Sequence, residues 1–126
     1  MIRYLIDADS SIYAMVDAAS PVNRRIAECS PGDIGISVIS FAEIALGSQL
    51  GKPPPSIVLD AFITSIPLLG FDEAAARTYA RLPFKRARFD RLLAAHALSL
   101  GVTIITNNEA DFADVPDLKV ENWTLP

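Results

Sequence analysis

Tyr4-Leu5-Ile6-Asp7-Ala8-Asp9-Ser10-Ser11-Ile12-Tyr13-Ala14-Met15-Val16 opens with three apolar residues, stops at an acid and then changes period. Tyr4 to Ile6 reads as a short strand. From Ser10 to Val16 the apolar positions Ile12, Met15 and Val16 share one helical face. A strand that ends on an acid and hands over to a helix is a unit of an α/β fold, and it places Asp7 at the carboxyl end of a strand. In open sheets of this class, that is where ligand sites form.

The same unit recurs along the chain. A polar break leads to a helix over Val22 to Glu28, and Pro31-Gly32-Asp33 forms a turn. Ile34 to Ser37 reads as a second strand, feeding a helix that carries Glu43 and stops near Gly47. Lys52-Pro53-Pro54-Pro55 is a loop, because proline neither continues a helix nor donates to a ladder. Ile57 to Ser65 reads as a helix and Pro67 to Phe71 as a third strand. Asp72 is placed to cap a helix from Glu73 to Ala80. Phe89 to Leu100 is a helix with Leu93, Ala97 and Leu100 in register, and Gly101 is its stop. Val102 to Ile105 is a β-branched strand, and Leu118 to Val120 a last short one. Strands alternating with helices predict one α/β domain over residues 1–126, with a mainly parallel central sheet flanked by helices.

The 126 residues, 51% hydrophobic and 21% charged, suit one buried core rather than a disordered chain. No apolar run approaches the roughly 20 residues of a membrane helix. An aspartate as early as Asp7 interrupts a signal-peptide core, so the expectation is a cytoplasmic protein. A lone Cys29 gives no internal disulfide and no thiolate metal cage; it reads as a small inert residue at a helix end. A net charge of −4 argues against nucleic acid as a partner, but the distribution reverses that argument. Arg77, Arg81, Lys85, Arg86, Arg88 and Arg91 crowd into one short window in which Asp90 is the sole acid. Such a strip reads either as a solvated helix face or as a cradle for phosphates beside a carboxylate.

Four acids share a feature. Asp7 ends the first strand, Glu43 lies in the helix after the second, Asp90 opens the helix before the Val102 strand, and Asp111 follows that strand. Each also has a plainer reading: a solvated strand end, a surface glutamate, a helix N-terminal acid, a loop acid. If gathered at one sheet edge they would repel one another and resist joint ionisation. A hard divalent cation, Mg²⁺ or Mn²⁺, takes oxygen ligands and removes that conflict. Phosphodiester hydrolysis can use such an ion and does not need histidine. The single His96 reads as a packed residue, and Trp123 as an anchor for the C-terminal segment.

Four segments in order resemble the motifs of PIN-domain ribonucleases, the VapC-type toxins of type II toxin–antitoxin pairs. Leu5-Ile6-Asp7-Ala8-Asp9-Ser10-Ser11-Ile12-Tyr13 is similar to the opening motif, and Ile36-Ser37-Val38-Ile39-Ser40-Phe41-Ala42-Glu43-Ile44 to the second. Phe89-Asp90-Arg91-Leu92-Leu93-Ala94-Ala95-His96-Ala97-Leu98 is similar to the third, and Thr103-Ile104-Ile105-Thr106-Asn107-Asn108-Glu109-Ala110-Asp111-Phe112 to the fourth. Val115-Pro116 and Val120-Glu121-Asn122-Trp123 fit the family's ending. The resemblance implies that Asp7, Glu43, Asp90 and Asp111 are both catalytic and metal-holding, with one or two Mg²⁺ or Mn²⁺ ions, and that Thr106 supports them through its hydroxyl. It implies endonucleolytic cleavage of RNA, a homodimer and a cognate antitoxin. The chain departs from the family in carrying Ala8 and Asp9 where threonine and asparagine are common. Asp9 then reads either as an outer acid holding water or as a helix N-terminal acid. The segment between Ala80 and Asp90 is also short and basic, with Lys85, Arg86, Arg88 and Arg91 as candidate RNA contacts.

Two alternatives stand beside this reading. A haloacid-dehalogenase-like phosphatase would use Asp7 as nucleophile, Asp9 as general acid, Lys85, and Asp111 with Asp114 as late acids. It would leave Glu43 and Asp90 without a role. A PIN fold that binds RNA or a partner without cutting would keep the architecture and lose the chemistry.

Overall fold

In the computed structural model, which describes residues 1–83 and 88–126, the strands are β1 (Tyr4–Ile6), β2 (Ile34–Ser37), β3 (Leu68–Leu69), β4 (Thr103–Ile105) and β5 (Val120–Glu121). The helices are α1 (Ala8–Val16), α2 (Pro21–Ala27), α3 (Val38–Gln49), α4 (Ser56–Ser65), α5 (Glu73–Ala80) and α6 (Arg88–Leu100). A 3-10 helix spans Glu109–Phe112. The strands form one sheet in the order β3-β2-β1-β4-β5. Every pairing is parallel, with Ile6 opposite both Ile36 and Ile105. The mainly parallel sheet expected from the sequence is parallel throughout.

β1 is central because its residues are apolar on both sides. Ile6 packs into a core with Ile36, Ile44, Leu59, Ile105 and Trp123, whereas Leu5 packs into a second core with Leu93, Ala97, Ile104 and Phe112. Neighbouring strand residues point to opposite faces, so two apolar residues in succession require a layer on each side. Trp123 is an anchor: it is 1% exposed, Tyr4 meets it edge-on at 4.9 Å, and its Nε1 donates to Glu121 at 2.9 Å. Cys29 is half-buried, its thiol donates to the Arg25 carbonyl, and burial followed by the charge of Asp33 pushes its pKa up.

Several boundaries differ from those expected, two of them for reasons visible in the backbone. The helix expected to stop near Gly47 continues to Gln49. Its terminator is Gly51, at φ +86°, where a side chain would be strained. Gly51 N–H donates to the Ser48 carbonyl at 3.1 Å and Lys52 N–H to the Gly47 carbonyl at 2.8 Å, the paired bonds of a Schellman motif. The last strand, expected over Leu118 to Val120, forms at Val120–Glu121. The left-handed turn at Asp117, φ +66°, precedes it. Gly101, φ +69°, stops α6 as read from the sequence. Among the described residues no helix is long and apolar enough to cross a membrane.

Candidate active site

Every β–α crossover of a parallel sheet returns the chain to the same edge, so the carboxyl ends of β1, β2 and β4 open on one side. Asp7 follows β1 directly. Its extended backbone, φ −78° and ψ 174°, makes it the N-cap of α1, and Oδ1 accepts from Ser10 N–H at 2.8 Å. Its own N–H donates to the Ile105 carbonyl at 2.9 Å, which ties it to β4. The carboxylate is thus held at a helix N-terminus, where negative charge is favoured. Thr106 follows β4, is fully buried, and accepts from Asn108 N–H at 3.0 Å on its hydroxyl. Ser37 ends β2 and caps α3, which carries Glu43 away from the edge on its second turn.

These elements enclose a small cleft lined by Asp7, Ala8, Asp9, Glu43, Asp90, Leu93, Thr106 and Asn108. It holds about 50 Å³, room for a few water-sized groups and not for a nucleotide. A larger groove of about 450 Å³ lies at the opposite end of β2, against Ile26, Cys29, Ile34 and Ile66, and has no acidic lining.

The electrostatics identify the cleft as a place of unrelieved negative charge. The Asp7 carboxyl is raised above its usual 3.8, first by burial; hydrogen bonds from Thr106 and Ser10 counter this, and Asp9 adds repulsion. Glu43 is pushed up to about 7 by partial burial and then by the charges of Asp90, Asp9 and Asp7. By area Glu43 is exposed at the cleft mouth, so the three like charges are the sturdier part of that cause. Asp90 is raised by burial, then by Asp111 and Asp7, while Arg91 counters.

Asp7, Glu43 and Asp90 are therefore brought together, with Asp9 among them and Thr106 behind. Asp9 combines both of its readings: it sits in the first turn of α1 and lines the cleft. Asp111, in the 3-10 helix, is outside the lining but close enough to act on Asp90. Leu93 and Asn108 line the cleft without having been singled out beforehand. The run Thr106-Asn107-Asn108 after β4 was the available signal for Asn108.

The basic strip divides. Lys85 and Arg86 lie outside the described residues, Arg88 is exposed at the start of α6, and Arg77 pairs with Glu73 at 2.7 Å. Arg91 corrects the expectation of a surface RNA contact. It is 7% exposed and donates to Asp114 at 2.6 Å. The same pair takes up Asp114, which the phosphatase alternative needed as a late acid.

Among the described residues no three acids, histidines or cysteines stand together as a finished ligand cage. The donor chemistry nonetheless fits a hard cation. The lining offers carboxylate, amide and hydroxyl oxygens, and Mg²⁺ is typically held by only one or two carboxylates with waters completing the shell. Three carboxyls raised in pKa by crowding and burial mark a site that positive charge would relieve.

The family model described as PIN domain matches residues 4–118. A curated relative, the tRNA(fMet)-specific endonuclease VapC of Shigella flexneri, is 28% identical over 98% of this chain and 100% of its own. The crystal structure of VapBC2 from Rickettsia felis bound to a DNA fragment from their promoter superposes with a TM-score of 0.84, at 24% identity, over 98% of this chain and 99% of that one. VapBC-1 from nontypeable Haemophilus influenzae gives a TM-score of 0.78 at 26% identity, over 99% and 100% of the two chains. With a family match over most of its length, an all-parallel sheet and acids gathered where its central strands end, this chain belongs to the PIN-domain family.

Proposed function

We propose that this chain is a metal-dependent endoribonuclease, the toxin of a type II toxin–antitoxin pair, acting as a single domain in the cytoplasm. The observation that carries this reading is the convergence of Asp7, Glu43 and Asp90 on one cleft at the carboxyl edge of the sheet. Relatives named as endonucleases and ribonucleases supply the substrate class, RNA. Solved complexes titled as VapBC supply the partner class, a cognate antitoxin. Exposed apolar side chains on α1, α3 and α4, among them Tyr13, Val16, Leu46, Leu50 and Ile57, offer surface for an antitoxin or a second copy.

Asp7, Glu43, Asp90 and Asp111 would hold the ion, Mg²⁺ or Mn²⁺, with Asp9 as an outer acid. A divalent cation bound there supplies positive charge against phosphate oxygens and acidifies an adjacent water. The chain's residues do the rest. Ser10 N–H and the Thr106 hydroxyl fix the Asp7 carboxylate before substrate arrives. Glu43, whose carboxyl is pushed up to about 7 in the ion-free cleft, would give up its proton as the ion binds. Leu93 forms an apolar wall that limits water. Arg88, exposed at the start of α6 and two residues before Asp90, is a cation that would attract the RNA backbone.

Purified chain incubated with total RNA, with and without Mg²⁺ or Mn²⁺, tests the reading. Discrete fragments that require the ion and vanish in Asp7→Asn are expected. RNA binding without cleavage by a folded, metal-loaded protein would favour the non-cutting PIN alternative instead.

A further inference from the structure

The nuclease reading uses the acids and leaves one buried titratable group unexplained. His96, 1% exposed, sits in a stretch of α6 whose adjoining residues Ala94, Ala95 and Ala97 are small and fully buried. Its Nδ1 lies 2.8 Å from Ser37 Oγ. Ser37 is itself fully buried, and its hydroxyl oxygen already accepts from Ile39 N–H at 3.0 Å as the cap of α3. The Ser37 oxygen keeps a second lone pair and could still accept, but burial favours the neutral ring and the Gly70 backbone bond favours its protonated form, as a carbonyl accepting the Nε2 hydrogen does; Nδ1 is then the acceptor and takes the Ser37 proton. The Gly70 backbone bonds the same ring, and the Phe71 ring meets it edge-on at 5.5 Å. Asp72, the cap of α5, is the acid that acts on it.

Three segments therefore meet at one imidazole: the β2–α3 junction, the middle of α6 and the β3–α5 loop. Among the described residues the Ser37–His96 bond is the side-chain hydrogen bond that joins α6 to the cap of α3. Glu43 stands six residues after Ser37 and Asp90 six residues before His96, about 9 Å along each helix. Both helices run rigidly from this joint to the cleft. We infer that His96 is a positioning residue which, through Ser37, sets the spacing of Glu43 from Asp90 and so the affinity of the acidic cleft for its divalent cation. The assignment rests on the nuclease reading given above. It places His96 outside the chemistry, touching neither ion nor RNA.

The test compares wild type, His96→Leu, His96→Asn and Ser37→Ala for Mn²⁺ affinity by calorimetry, for thermal unfolding, and for RNA cleavage across a Mn²⁺ series. Loss of a direct hydrogen-bond partner of a metal ligand costs about 10–100-fold in metal affinity. His96 acts one step further out, through the helix, so His96→Leu is expected to bind Mn²⁺ more weakly by about the lower end of that range, roughly tenfold. High Mn²⁺ should restore its cleavage, with KM for RNA unchanged. His96→Asn, which puts an amide oxygen near the position of Nδ1, should recover most of the affinity. A folded His96→Leu that binds Mn²⁺ as wild type does overturns the proposal. Should that variant fail to fold, Ser37→Ala removes the bond from the other side, and unchanged Mn²⁺ affinity there overturns it equally. The single histidine leaves one imidazole to follow by NMR, and ring nitrogen shifts showing no hydrogen bond at Nδ1 would also refute the joint. If wild type itself neither binds Mn²⁺ nor cuts RNA, the nuclease reading falls and takes this inference with it, a pattern distinct from a loss confined to the variants.

Discussion

Replacing Asp7 by asparagine should leave the protein, in chelator, at least as stable as its parent while abolishing cleavage. The carboxylate does two things in the fold. Its Oδ1 caps α1 by accepting from Ser10 N–H at 2.8 Å, and its charge sits almost buried beside Asp9. Asparagine keeps the acceptor and removes the charge. Because the folded pKa lies above the ordinary 3.8, the folded state holds its proton more tightly than the unfolded one, and each unit of such a shift is about 1.4 kcal/mol of stability lost on ionisation. That loss grows as pH rises from 3.8 through the folded value, so the advantage of asparagine should be full above the folded value and gone below pH 3.8. Alanine removes charge and cap together and should fall below asparagine by about 1 kcal/mol, roughly 3–6 °C in Tm. Urea unfolding of the three proteins in chelator measures this order directly. With Mn²⁺ at a hundredfold over its Kd, wild type gains about 2.7 kcal/mol and the order of wild type and asparagine reverses. An Asp7→Asn protein more than about 1 kcal/mol weaker than wild type in chelator would refute the argument, since it would mean that the chain itself holds the Asp7 charge in a favourable pair.

Metal affinity should depend on pH through Glu43. With a pKa of about 7 its carboxyl keeps a proton at pH 6 and has lost it by pH 8, so Mn²⁺ binding should tighten by about tenfold over that range and flatten in Glu43→Gln; calorimetry at the two pH values decides. Asp114→Ala takes the 2.6 Å partner from the buried Arg91 guanidinium and should cost about 2–4 kcal/mol, whereas Arg91→Met, which removes the charge instead of stranding it, should cost less in the same urea titration. Trp123→Ala empties the junction between Tyr4, Arg25 and Glu121 and should cost about 3–5 kcal/mol, read as a fall in the urea midpoint.

The parts of the fold that announced themselves were those set by neighbours in sequence. Asp72 capping Glu73–Ala80 and Gly101 stopping α6 need only local geometry, and both stand as read. β3 shrank from the expected Pro67 to Phe71 to Leu68–Leu69, because an edge strand ends where its one partner does and that partner, Ile36–Ser37, is 32 residues away. In the cleft, the ends of apolar elements pointed to Asp7, Glu43 and Asp90, and the family resemblance added Thr106. Asn108 was missed because lining a cleft depends on how a loop folds back. Arg91 was misjudged for a related reason: its place on the inward face, in step with Ala94 and Ala95, was visible, but its acid lies 23 residues further along in a loop with no pattern of its own.

The strand order has a meaning for the cell that makes this chain. β1, which ends at Asp7, is seated between β2 and β4, and the site draws on residues from Asp7 to Asn108. No early portion of the polypeptide can assemble the cleft, since Asp7 takes its backbone bond from Ile105 and its hydroxyl support from Thr106. A growing chain leaving the ribosome therefore lacks the assembled cleft until β4 has been made, and so does any fragment broken off before β4. An enzyme that attacks the cell's own RNA would acquire its activity only when translation is nearly done, which leaves a partner folding nearby time to be waiting for it.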